Sequence, residues 1–126
     1  MRLLLDTHIF LWSLTDVPRL GGFADQIEDP GNDVFVSAVS LFEIAVKVRT
    51  GKLRMDMREL VEAIDLQGFQ LLPLTERHVL EIGNLPVHAD HKDPFDHQLI
   101  AQAIAEDMAF VSVDRHAGRY PVKLLN

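Results

Sequence analysis

Four acidic residues of this 126-residue chain stand where a lone carboxylate is hard to accommodate. Asp6 closes the apolar run Leu3-Leu4-Leu5, and Asp114 closes Phe110-Val111-Ser112-Val113. Glu43 and Asp96 lie on the apolar stripes of helical patterns: counting by three and four, Glu43 has Val39, Val46 and Lys47 as neighbours, and Asp96 has Leu99, Ile100 and Ala103. Burying an unpaired charge costs roughly several kcal/mol, so such an acid is neutralised, paired or bound to a cation. Carboxylates gathered within about 5 Å repel by on the order of a few kcal/mol per pair unless cations sit between them. Hard divalent ions with oxygen ligands, Mg²⁺ or Mn²⁺, are the natural occupants. Such ions deprotonate a water and stabilise charge on a phosphoryl oxygen, so the chemistry suggested is phosphodiester hydrolysis.

Each acid also has an ordinary reading. Asp6 is a candidate cap for a helix beginning near Thr7, and Asp114 for a short turn before Arg115-His116-Ala117-Gly118. Lys47, one turn after Glu43, offers it an ion pair. Ser37 follows its strand directly and is a better cap than Ser40, which leaves Glu43 almost two turns into the helix rather than in a capping box with Ser40. Asp93-Pro94-Phe95-Asp96 has the cap, first-turn proline and third-position acid of a helix start, so Asp93 orients the helix while Asp96 points into a cleft. Ser112, two residues before Asp114, either steadies the strand end or orients a carboxylate or metal-bound water.

The elements that must position these groups alternate between short β-rich runs and helical patterns. Strands are expected at Arg2 to Leu5, Val34 to Val36, Phe69 to Leu72 and Phe110 to Val113, with a fifth, at the edge, over Val122 to Leu125. Helices are expected over Ile9 to Leu14, from Ser37 to about Thr50 with Gly51 as the stop, from Met55 to Leu66, from Thr75 through Ile82, and from Asp93 to about Asp107. His88 to Lys92 reads as polar loop. Strands alternating with helices imply a mostly parallel sheet covered on both faces, in one domain over residues 1–126. The first strand is expected to be central, and ligands in such folds bind beyond the carboxyl ends of the strands. Those ends carry Asp6 and Asp114.

Composition sets the outer bounds. A net charge of −7 argues against a protein that spreads lysines over phosphates, except where metals held by the acids meet the phosphate instead. The absence of cysteine excludes disulfides, zinc-thiolate sites and cysteine nucleophiles. The opening Met-Arg-Leu-Leu-Leu-Asp is too short an apolar run for a signal peptide, and no stretch approaches the roughly 20 apolar residues of a membrane span, so a soluble cytoplasmic protein with no membrane partner is expected.

Leu-Leu-Leu-Asp6-Thr7-His8, Val-Ser-Ala-Val-Ser-Leu-Phe-Glu43-Ile-Ala-Val-Lys47 with Gly51-Lys52-Leu53 after it, His91-Lys92-Asp93-Pro94-Phe95-Asp96-His97-Gln-Leu-Ile-Ala-Gln-Ala and Ser112-Val-Asp114 occur in this order across the chain. Together they resemble the PIN domain, specifically its VapC-type toxin branch. The resemblance implies a three-layer α/β/α sandwich, Mg²⁺- or Mn²⁺-dependent endoribonuclease activity on RNA, frequent homodimers and inhibition by a cognate VapB-like antitoxin. Carried over residue by residue, Asp6, Glu43, Asp96 and Asp114 match the acidic quartet, with Asp93 an additional candidate close to the metal. Family members commonly carry Arg where this chain has His97, which bears on how the rim of the site holds RNA. The basic tract Lys47, Arg49, Lys52 and Arg54 either contacts phosphate or is a solvated helix end, and Arg115 is a second candidate helper for substrate charge.

Three rival readings remain at this level. His88, His91 and His97, with Asp90 or Asp93, offer a loop zinc site, which leaves the strand-end acids unexplained. A receiver-type signalling domain would want a lysine near its last strand, where Lys123 is badly placed. A non-catalytic PIN-like binding module would have no use for an intact quartet.

Overall fold

The computed structural model describes residues 1–125 and contains one fully parallel sheet. Its strands are β1 (Arg2–Leu5), β2 (Asp33–Ser37), β3 (Gln70–Leu72) and β4 (Ala109–Val111), in the order β3-β2-β1-β4. The connecting helices are α1 (Thr7–Thr15), α2 (Phe23–Glu28), α3 (Ala38–Arg49), α4 (Met57–Leu66), α5 (Glu76–Glu81) and α6 (Pro94–Ala105), with 3₁₀ turns at Val17–Leu20, Ile82–Asn84 and Arg115–Arg119.

Side chains alternate across a strand, so a sheet covered on both faces needs strands that are apolar at every position. β1 meets that requirement with Leu3, Leu4 and Leu5, all without solvent exposure. Leu3 and Leu5 join Ile9 and Phe10 of α1, Ile44 of α3 and Leu60 and Ile64 of α4 on one face. Leu4 joins Val39 of α3 and Leu99, Ile100 and Ala103 of α6 on the other. The result is the expected three-layer α/β/α arrangement with β1 inside the sheet.

The fifth strand does not form. The segment reduces to a single parallel bridge between Leu124 and Phe110, with Phe110 N–H donating to the Lys123 carbonyl at 2.7 Å. Pro121 has no N–H, and that of Val122 is taken locally by the Tyr120 carbonyl at 2.8 Å, so pairing begins too late to extend. Two boundaries move inward as well. α4 starts at Met57, where Asp56 caps the N–H groups of Arg58 and Glu59, and β4 ends at Val111. α2 was not expected from the pattern: it has six residues and buries only Ile27, too little to leave a periodic signal.

From β1 the chain steps outward through β2 to β3 and then returns to the opposite side of β1 as β4. That reversal opens a crevice at the carboxyl ends of β1 and β4. α3 and α6 are crossover helices, so their N-termini open at the same edge.

Candidate active site

Asp6 directly follows β1, and its N–H continues the ladder to the Val111 carbonyl of β4 at 2.9 Å. Its carboxylate, only 6% exposed, is gripped at both oxygens: Oδ1 accepts the Thr7 N–H at 2.7 Å, and Oδ2 accepts the Ser112 hydroxyl at 2.7 Å. Burial lifts this carboxyl above its ordinary pKa, and the charge of Glu43 adds to the rise, against the pull of Ser112, the Thr7 N–H and His8. Asp6 is thus both the cap of α1 and a buried acid at the crevice.

Glu43 is 4% exposed. Its Oε1 accepts the Thr7 hydroxyl at 2.7 Å, and the Ser40 hydroxyl in turn lies 2.9 Å from that of Thr7. Its Oε2 accepts from Lys47 Nζ at 2.8 Å, so the ion pair foreseen one helical turn away is present. The bond to Glu43 holds the lysine pKa above its ordinary value, and the charges of Asp93 and Asp96 add to it. Ser37, not Ser40, caps α3, accepting the Val39 N–H at 2.9 Å.

Asp93 is exposed and caps α6, taking the N–H groups of Phe95 and Asp96 on one oxygen at 2.9 and 3.3 Å. Asp96, one turn further in, is partly buried. Its carboxyl is raised to about 6, first by burial and then by the charges of Asp93, Asp6 and Glu43, against one hydrogen bond from His91. That interaction ties the four acids of β1, α3 and α6 into one electrostatic unit.

Asp114 completes the set from the far side of β4. It caps the Arg115–Arg119 turn at the His116 N–H, 2.9 Å, and its own N–H donates to the Ser112 hydroxyl at 3.0 Å. Ser112 therefore steadies the strand end and orients the Asp6 carboxylate at once. Carboxylate oxygens of Asp96 and Asp114 lie with a ring nitrogen of His91 all within 4.8 Å of one another. The structure thus gathers Asp6, Glu43, Asp93, Asp96 and Asp114 around one crevice.

The loop zinc site does not assemble. His88 Nε2 faces the Arg119 carbonyl at 3.3 Å, His97 Nε2 donates to the His91 carbonyl at 2.8 Å, and Asp90 is held in a two-point pair by Arg119 at 2.9 and 3.2 Å. Of the three rings only that of His91 turns to the acids. Sequence reading overlooked two other contributors. Thr7 orients Glu43 across 36 positions, and Tyr120 holds His91 through a 2.7 Å contact to Nδ1. No periodic signal links residues so far apart.

A groove of about 340 Å³ opens beside the acids, lined by Glu43, Lys47, Lys52 and Asp93 among others. The basic tract divides here: Lys47 and Lys52 face the groove, whereas Arg54 lines a separate cavity with Leu14 and Met55. Arg49 and Arg115 are solvent-exposed.

The donors present fit a hard divalent cation. The set is almost entirely carboxylate, and Asp96 Oδ1 and Asp114 Oδ2 accept no hydrogen bond from the described residues. Among the described residues no helix is long and apolar enough to cross a membrane.

Comparison with solved structures gives the same fold at low identity. A chain of the VapBC2 complex of Rickettsia felis, bound to a DNA fragment from its promoter, aligns with a TM-score of 0.76 at 18% identity over 100% of this chain and 98% of that one. A chain of VapBC-1 from nontypeable Haemophilus influenzae aligns at 0.67 and 17% identity, covering 94% and 91%. One of FitAcB from Neisseria gonorrhoeae aligns at 0.67 and 21%, covering 98% and 96%. No curated protein matches the chain. The PIN-domain model matches residues 3–123, nearly the whole length, and the chain therefore belongs to the PIN-domain family.

Proposed function

We propose that the chain is a single PIN domain over residues 1–126 that hydrolyses RNA as a Mg²⁺- or Mn²⁺-dependent endoribonuclease. The observation that carries this reading is that Asp96 and Asp114 cluster at the switch point of the sheet, with Asp6 and Glu43 near enough that their charges, after burial and the charge of Asp93, help raise Asp96 to about 6. The likeness to chains of VapBC complexes supports a further step: the chain is the toxin of a toxin–antitoxin pair, cytoplasmic, homodimeric and restrained by a VapB-like antitoxin.

Asp6, Glu43, Asp96 and Asp114 would hold the cation or cations, with Asp93 close by at the mouth of the groove. A divalent ion there supplies a more acidic water and offsets charge on the phosphoryl oxygens. The chain's own groups prepare the place. Ser112 and the Thr7 N–H lock Asp6, and the Thr7 hydroxyl locks Glu43. Lys47 offsets the clustered negative charge, and with Lys52 it lines the groove where substrate phosphate would lie. In the overall reaction water oxygen joins phosphorus, the phosphorus–oxygen ester bond breaks, and the leaving oxygen takes up a proton.

Purified protein incubated with structured RNA and Mg²⁺ or Mn²⁺ tests this. Cleavage is expected, abolished by chelation and reduced by roughly 100-fold or more in Asp6→Asn and Asp96→Asn. Expression should arrest growth, and Asp96→Asn should relieve the arrest. Absence of cleavage with either ion, or an Asp96→Asn protein as active as the parent, overturns the reading.

A further inference from the structure

Among the described residues, His91 is the imidazole whose ring nitrogen clusters with Asp96 and Asp114, and it is held there by several contacts. It is 6% exposed. Its carbonyl accepts from His97 Nε2 at 2.8 Å, and its N–H donates to the His88 carbonyl at 3.1 Å, so the loop cannot easily turn the ring away. The ring stacks on His116 with centroids 4.8 Å apart and planes 8° from parallel, and meets His97 edge-on. Nδ1 lies 2.7 Å from the Tyr120 hydroxyl, and Nε2 lies 3.2 Å from Asp96 Oδ2.

This is the pattern by which a metal-binding histidine is prepared: one ring nitrogen spent on an oxygen partner, which fixes ring orientation, and the other presented to the ion. Nε2–H can donate to Asp96 Oδ2 in the metal-free chain; with the proton on Nδ1 and donated to the Tyr120 hydroxyl instead, the Nε2 lone pair and the carboxylate oxygen face one place that a cation can take. The separations also come near those between ligands of one ion, reaching a little beyond them, so a small closure of the side chains would complete the contact. Ligand atoms about 2.1 Å from a common centre lie roughly 3 Å apart when adjacent and about 4.2 Å when opposite. The atoms of His91, Asp96 and Asp114 lie within 4.8 Å of one another.

Deepening the nuclease reading and resting on it, we infer that His91 Nε2 is a direct nitrogen ligand beside Asp96 and Asp114, which gives the centre a preference for first-row transition ions over Mg²⁺. Imidazole suits such ions, whereas Mg²⁺ favours oxygen and parts reluctantly with its waters. The acidic quartet alone would not discriminate in this way.

The test is metal binding by chelator-stripped protein, followed calorimetrically with Mg²⁺, Mn²⁺ and Co²⁺ and by pulsed EPR of the Mn²⁺ form. Wild type should show imidazole nitrogen coupling to Mn²⁺. His91→Gln should lose that coupling and bind Mn²⁺ and Co²⁺ at least about tenfold more weakly, with Mg²⁺ changed by less than about threefold. Tyr120→Phe, which keeps the ring but removes the oxygen on Nδ1, should weaken Mn²⁺ binding in the same direction by a smaller factor, and serves in place of His91→Gln if that variant does not fold. Absence of nitrogen coupling in wild type, its survival in His91→Gln, or equal weakening of Mg²⁺ and Mn²⁺ in either variant overturns the inference. Binding that Asp96→Asn abolishes but His91→Gln leaves intact sinks only the role of His91. If wild type binds none of the three ions, both this inference and the nuclease reading fall.

Discussion

Replacing Asp96 with Asn should stabilise the metal-free protein at neutral pH, although the residue sits at a helix N-terminus where an acid is ordinarily welcome. The carboxyl is raised from its ordinary 3.8 to about 6, chiefly by burial and then by Asp93, Asp6 and Glu43. A raised folded-state pKa means that the native chain holds the proton more tightly than the unfolded chain does. The associated stability is fully present below pH 3.8 and is lost as pH rises through 6. Taken at face value that rise is worth roughly 3 kcal/mol. The side chain is 25% exposed, so solvent screening brings the figure to about 1–2 kcal/mol. Losing the first-turn charge gives back about 0.5 kcal/mol. The net gain of about 1 kcal/mol should raise the melting temperature by roughly 3–5 °C for a chain of this size.

Circular dichroism melts in EDTA at pH 7.5 and at a series of lower pH values measure this directly. The advantage of Asp96→Asn should be largest at pH 7.5 and shrink towards zero as pH falls below 4. Added Mn²⁺ should reverse the order, because ligand at a hundred times its dissociation constant contributes about 2.7 kcal/mol to wild type and little to the variant. A melting temperature several degrees lower for Asp96→Asn at pH 7.5 in EDTA would refute the reasoning and make Asp96 a helix-start residue only. Equal stabilisation of both proteins by Mn²⁺ would refute its place at the metal.

Other substitutions probe the supports of the site. Lys47→Met leaves Glu43 buried without its cation and should cost the metal-free protein about 1–2 kcal/mol in urea unfolding, a loss that Mn²⁺ largely restores; an unchanged unfolding midpoint would show the pair to be idle. Ser112→Ala removes the hydroxyl shared by Asp6 and the Asp114 N–H, and should weaken Mn²⁺ binding by about 10-fold to 100-fold while costing about 1–2 kcal/mol of stability. A titration in which affinity does not move would confine Ser112 to the strand end. Gln102→Leu strips the fully buried amide that joins Ser37, His78 and the Pro73 carbonyl, and should destabilise the fold by about 2–3 kcal/mol without altering Mn²⁺ affinity, as read by paired thermal melts and calorimetry.

The parts of the fold legible in sequence were those written in neighbouring residues. Leu3-Leu4-Leu5 announces a strand covered on both faces, and Ser37 and Asp93 announce the helix starts they cap. The acids themselves stood out because each interrupts a local apolar pattern. What escaped lies between residues distant along the chain. His91 meets Tyr120 across 29 positions, and nothing in the polar run His88 to Lys92 indicates which ring turns inward. Sequence proximity made His88, His91 and His97 look like partners, yet backbone carbonyls of Arg119 and His91 claim the other two rings. Even the edge strand failed for a reason local sequence shows only in part: Pro121 was visible, the capture of the Val122 N–H was not.

Capping and cation binding, which begin as competing explanations for these acids, are compatible in this geometry. Asp6, Asp93 and Asp114 each give one oxygen to a backbone N–H at the start of a helix or turn, which fixes the side chain and sets it in the positive end of the local dipole. Glu43 has Lys47 in place of a dipole. Asp96 has neither. Its own N–H and that of Phe95 are already claimed by Asp93, so among the described residues the side-chain partner of its carboxylate is His91, at 3.2 Å. This sparsely compensated acid is accordingly one whose carboxyl is raised, to about 6, and it is also the one that shares a cluster with His91 and Asp114. On the proposed reading a proton and a cation would compete for the oxygens of Asp96, and a bound cation would stabilise the fold most where the carboxyl is ionised, above about pH 6.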